Sequence, residues 1–153
     1  MSSLHYTIHV FGARMRGIVL ALLLATGAPA FAQTADARSE IIGKWKLTSV
    51  LDLIDITSRN EKEAQSLLGH VLVIGNEGAQ LDDYQCASSN FETRRVVPNL
   101  YVQEFAGIDA RKLRLPDPVT VVDISCTQVF IKSRNRIVLF WDGWFFEATR
   151  IVN

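Results

Sequence analysis

The sequence predicts a small all-β protein, an antiparallel up-and-down β-barrel of about seven or eight strands with one short helix after the first strand. Three observations lead there. Short apolar runs recur through the chain, several with period-two alternation, each bounded by turn residues. No strand–helix–strand alternation appears, which argues against a parallel sheet. Asp142-Gly143 sits between RIVLFW and WFFEATRI, and Asp-Gly between alternating apolar runs is a strong hairpin signal because both residues tolerate positive φ. A barrel closes its own edges and suits a meander of this length; a β-sandwich is the alternative.

The elements follow in chain order. Arg14-Met15-Arg16, an apolar run from Ile18 to Leu24, and Ala30-Phe31-Ala32 before Gln33 form the basic, apolar and A-x-A regions of a secretory signal peptide over residues 1–32. The run is shorter than the roughly 20 residues of a membrane span. Met15 is the better placed start, because MRGIVLALLL is then a compact leader. Arg14 and Arg16 are not adjacent, so the leader is not of the twin-arginine kind. The mature chain is expected to start at Gln33 and to reside in the periplasm or be secreted, with no transmembrane segment.

Residues 33–40, QTADARSE, read as a flexible polar tail, and residues 41–153 as a single domain. In GKWKLTSVLDL, Trp45, Leu47, Ser49 and Leu51 are expected on one face of a strand, with Lys44, Lys46, Thr48 and Asp52 mostly on the other. Ser58 followed by Glu61 is a capping box, so a helix of about ten residues is expected to run up to Gly69. HVLVIG, AQLDDYQC and FETRRVV read as strands, with Ala87–Asn90 as a polar loop and Pro98 as a stop. Asn99–Pro118 reads as a short helix or an irregular lid. VTVVDISC, QVFIK, RIVLFW and WFFEATRI complete the strands. In the last, Trp144, Phe146, Ala148 and Arg150 share one face.

Charge excludes some functions. The chain is neutral overall, and loss of Arg14 and Arg16 with no acid leaves the mature part at −2. Nucleic-acid binders carry a strong basic excess, so none is expected here. Cys86 and Cys126 in an oxidising compartment read as one disulfide, worth roughly 2–4 kcal/mol. A metal site is the competing reading, but the sequence has no C-x-x-C, and His70 is the only mature histidine. No cofactor is implied.

Gly43-Lys44-Trp45 opens the first strand, and Arg150 lies near the end of the last. This arrangement resembles the lipocalin-like (calycin) β-barrels, in which a G-x-W on the first strand closes one end of the barrel and an arginine from the last strand packs over that tryptophan. The resemblance implies that Gly43 permits a sharp entry into the strand, that the Trp45 indole plugs the closed end, and that the Arg150 guanidinium stacks on its face.

Candidate sites are few. Trp141 and Trp144 flank the Asp-Gly turn and are directly opposed across the hairpin. Packing explains such a pair without any function, at roughly 0.2–1 kcal/mol; a binding mouth is the other reading, with Tyr84 and Tyr101 as further candidate ligand-binding residues. Asp82-Asp83 read as a solvated strand edge, because neighbours in a strand point to opposite faces. His70 reads as a cap or surface residue. Arg94-Arg95 and Arg111-Lys112-Arg114 are solvated clusters or rim contacts for an acidic partner. Catalytic motifs such as G-x-S-x-G, H-E-x-x-H or a phosphate loop are missing, which leaves an enzyme the weaker hypothesis. The expectation is an exported lipocalin-like binding protein for a small apolar ligand. The alternative is a proteinaceous inhibitor or immunity-like protein, acting on an envelope hydrolase through its loops Ala87–Asn90 and Asn99–Pro118.

Overall fold

A computed structural model describes residues 33–55, 57, 59–87 and 90–152. The leader and the Met15 start lie outside these residues, as does Ser58.

Nine antiparallel strands form one curled half-barrel sheet. The chain runs α1 (Gln33–Ile41), β1 (Gly43–Leu53), α2 (Glu61–Ser66), β2 (Val71–Gly75), β3 (Gly78–Leu81), β4 (Tyr84–Ala87) and β5 (Glu92–Val96). It continues through α3 (Pro98–Ala106), a 3-10 turn (Ala110–Leu113), β6 (Val119–Asp123), β7 (Gln128–Ser133), β8 (Arg136–Trp141) and β9 (Trp144–Arg150). The strand order is β4-β3-β2-β1-β9-β8-β7-β6-β5. This is the expected meander: β1 pairs with β9, and each hairpin pairs with itself. The edges are β4 and β5. Every neighbour is antiparallel and the strand number is odd, so the two edge strands run in the same sense. Another antiparallel pairing cannot close the seam between them.

Other contacts span the seam. The Cys86–Cys126 disulfide ties β4 to the β6–β7 turn. Helix α1 packs against β5 and β6. Its Arg38 donates Nη2–H to the Asn76 carbonyl in the β2–β3 turn (2.7 Å) and lies 4.4 Å over the Phe91 ring just before β5.

Four local expectations are corrected. Residues 33–41 are helical where a loose tail was expected, because Ala37 and Ile41, one turn apart, are buried in the barrel core. AQLDDYQC is two strands rather than one. Asp82 adopts φ 52°, Leu81 pairs with Tyr84, and the two aspartates form the turn between β3 and β4 instead of a strand edge. The capping box is Asn60 with Glu63, not Ser58 with Glu61: the Asn60 side chain accepts from Glu63 N–H, and Glu63 Oε2 accepts from Asn60 N–H. The helix is accordingly only six residues long. Finally, irregularities in β1 between Leu47 and Ser49 and between Val50 and Asp52 shift the facing pattern. Trp45, Leu47 and Val50 face the interior; Leu51 packs into a second core on the outer side.

That second core explains Asn99–Pro118. Of the two expectations the short helix holds, as α3 followed by the 3-10 turn, and the segment is no irregular lid. Pro98 occupies the first turn of α3, where its missing N–H costs nothing. Val102, Ala110 and Leu113 are buried against Val121, Phe130, Val138 and Phe145 on the outer face of the sheet. Strands β6–β9 are therefore covered on both faces. Inside the half-barrel, Trp45, Leu47, Leu72, Ile74, Ile137, Leu139 and Phe146 are fully buried and fill the space between the strands.

Candidate functional site

One end of the half-barrel is sealed. Trp45 and Arg150 are register partners across β1 and β9. The Arg150 guanidinium carbon lies 4.1 Å over the Trp45 ring. The indole Nε1–H donates to the Ile41 carbonyl (2.7 Å), and the guanidinium donates to the carbonyls of Ile42 (2.9 Å), Arg134 (3.1 Å) and Glu40. One side chain thus joins the end of α1, the β7–β8 turn and the tryptophan. Burial, then the nearby Arg134 charge, lowers the Arg150 pKa from its ordinary value. Gly43 has φ 141°, and a Cβ there would come within 2.7 Å of Arg150 Nη1. The residues of the G-x-W resemblance are therefore physically interlocked.

The opposite end carries the tryptophan hairpin. Asp142 (φ 50°) and Gly143 (φ 86°) make the turn, and Trp141 pairs with Trp144. Trp141 is 5% and Trp144 4% exposed, so both belong to the core. Trp144 Nε1–H donates to the Arg59 carbonyl (3.0 Å), and Gly143 O accepts from Ile54 N–H (2.9 Å). Ile54, Thr57 and Arg59 thus lie against the turn, and Arg59 Nε binds Asp142 Oδ2 at 2.7 Å. A Cβ on Gly143 would lie 3.0 Å from Thr57 Cα, so glycine is what lets the two segments touch.

Two surface depressions flank Arg59. A groove of about 450 Å³ runs along β1 and α2, with Trp144, Asp52 and Asn60 in its walls. A cleft of about 240 Å³ lies on the other side, lined by Arg59, Asp82, Asp83, Tyr84 and Trp141 among others. Tyr84 is 58% exposed, and its ring meets Trp141 edge-on at 5.1 Å and 89°.

The four candidate ligand-binding aromatics do not converge. Trp141 and Tyr84 meet, and Trp144 is beside them. Tyr101 stands on α3 in the outer core, packed on Phe105 and Phe130, with its hydroxyl on Gln128 Oε1 at 3.1 Å. Arg59 and the Asp82-Asp83 turn were missed as neighbours of these aromatics. No local pattern brings residue 59 to residue 142; only the fold does.

The charged clusters are largely paired. Arg94 bonds Glu92, Arg111 bonds Asp109, and Lys112 reaches the buried Asp52 at 3.0 Å. His70 Nδ1 lies 2.7 Å from Asp82 Oδ2. Hydrogen bonds from the Arg111 side chain and backbone hold Asp109 down at about 2. Among the described residues, no group of three or more His, Cys, Asp or Glu is placed to hold a metal ion, and no helix is long and apolar enough to cross a membrane.

By fold, the chain is an all-β protein built on a nine-stranded antiparallel half-barrel, braced by a disulfide and covered on one outer face by a helical segment. Compared with known proteins, it matches no family model, no curated protein and no solved structure.

Proposed function

We propose that this is an exported, non-enzymatic binding protein of lipocalin-like architecture that recognises a protein partner at its surface, in the manner of an inhibitor or immunity protein. The packed interior carries the reading. A barrel that holds an apolar guest needs a pocket of roughly 300 Å³ or more. Here the corresponding space is occupied by Trp45, Leu72, Ile74, Ile137, Leu139 and Phe146, each at most 1% exposed. This packing of large side chains supports recognition at the surface over a guest held inside the barrel. The interlocked Gly43, Trp45 and Arg150 support kinship with the lipocalin-like barrels. The basic flank, apolar run and A-x-A site support export and cleavage after Ala32, and the Cys86–Cys126 disulfide suits an oxidising compartment.

The rim around Arg59, Asp82-Asp83 and Tyr84 is a better recognition surface than residues 99–118, whose Val102 and Leu113 are committed to the outer core. The test is gel filtration and native mass spectrometry of the protein purified from the periplasm. A stoichiometric complex with a second protein is expected, with an N-terminus at Gln33. A small non-covalent adduct, or a tryptophan fluorescence shift on adding fatty acids, would restore the small-ligand reading in its place.

A further inference from the structure

We infer that the Tyr84–Trp141 cleft is a socket for one basic side chain, an arginine or lysine end group presented by the partner. The inference rests on the partner reading above and names the chemistry that its site selects.

Size comes first. At about 240 Å³ the cleft is smaller than the usual pocket for a drug-sized ligand and suits the end of a single side chain. Its aromatic wall comes next. Tyr84 is a large ring on a short edge strand, 58% exposed, and held edge-on against the buried Trp141. The T-shaped contact fixes the orientation of the tyrosine ring while most of the residue remains accessible. A cation over such a face is attracted by the ring quadrupole.

Charge decides the sign of the guest. The titratable groups at the cleft are Arg59, Asp82, Asp83 and Tyr84, with His70 and Asp142 bonded to two of them. The Arg59 cation is matched by Asp142, and Asp82 is held by His70 Nδ1. Asp83 sits in the β3–β4 turn, lines the cleft, and has no ion pair or hydrogen bond among the described residues. One unmatched carboxylate beside an accessible aromatic ring selects a cation over an anion or a neutral apolar group.

The experiment is a titration of the mature protein with N-acetyl-arginine amide, and in parallel with N-acetyl-citrulline amide, its neutral near-isostere. The Trp141 indole N–H resonance is the readout. The arginine compound is expected to shift it saturably, with the citrulline compound at least about fivefold weaker. Asp83→Asn, a turn-compatible change at an exposed site, is expected to weaken arginine binding by about fivefold while leaving the denaturation midpoint unchanged. Tyr84→Leu removes the ring but not the Asp83 carboxylate, and is expected to reduce the preference for arginine over citrulline without abolishing it. Equal binding of the two compounds, no shift of Trp141, or an Asp83→Asn variant that binds arginine normally would overturn the inference. The two readings fail separately. A protein complex that forms but is unaffected by Asp83→Asn removes the socket and leaves the partner. Selective arginine binding with no protein complex keeps the socket and removes the partner.

Discussion

Arg150 lies face-on to Trp45, its guanidinium carbon 4.1 Å over the ring, although the two residues stand at opposite ends of the domain sequence. Their register pairing across β1 and β9 is the closure of the meander, and the stack seals the end of the half-barrel. The same guanidinium holds the carbonyls of Glu40 in the last turn of α1 and of Ile42 just beyond it, so a strand–strand contact and a helix end share one side chain.

Arg150→Ala is expected to cost about 2–4 kcal/mol, since it removes a cation–π contact and leaves several backbone carbonyls without their donor. Arg150→Lys keeps the charge but loses the planar fork and is expected to recover less than half of this. Urea denaturation of the three proteins measures both, and hydrogen exchange is expected to show α1 released first.

Gly43→Ala is expected to lose about 1–3 kcal/mol from two sources: a positive φ, and a Cβ within 2.7 Å of Arg150 Nη1. A double-mutant cycle separates them. In the Arg150→Ala background the clash is gone and only the backbone cost remains, so the Gly43→Ala penalty there is expected to be smaller.

Gly143→Ala tests the contact of Thr57 and Arg59 with the tryptophan hairpin. Alanine meets Thr57 backbone at 3.0 Å and must hold φ 86°. The expected loss is about 1–3 kcal/mol. It is accompanied by exposure of Trp144 as its bond to the Arg59 carbonyl breaks, visible as a red shift in tryptophan emission.

Removal of the Cys86–Cys126 disulfide by paired serine substitution is expected to cost roughly 2–4 kcal/mol. The location of the effect is the sharper test. The disulfide spans a seam that strand pairing does not close, so amide exchange should quicken in β4 and β5 well before β1, β8 and β9.

Asp109 is expected to titrate near 2 by carbon NMR, below the usual carboxylate value of 3.8. Its folded-state pKa is depressed, so its contribution to holding the 3-10 turn is complete above the unfolded value and is lost as pH falls toward 2. Arg111→Ala should return the midpoint toward 3.8, because the Arg111 side chain supplies the largest part of the shift.

Much of the fold is written locally. Period-two alternation marks β1 and β9, and the Asp142-Gly143 turn marks the β8–β9 hairpin. The outer core was legible in part: IVLFW and WFF are apolar on both faces, the mark of a strand buried on both sides. The candidate site was half legible. Trp141, Trp144 and Tyr84 stood out as aromatics, but Arg59 and Asp83 carry no local pattern that points to them.

By itself the sequence determined the all-β meander, the paired cysteines and the tryptophan hairpin, because strand period, turn chemistry and cysteine number are properties of short stretches. Tertiary structure alone decided the rest. QTADARSEI is too short and too polar to hold a helix in water, and it becomes one because Ala37 and Ile41 enter the core while Arg150 caps its end. Ser49 and Leu51 leave the interior face because β1 must bend around the core and takes irregularities to do so. Asp82-Asp83 turn rather than extend because β3 and β4 can pair only if the chain reverses there. Each of these outcomes depends on surfaces contributed from elsewhere in the chain.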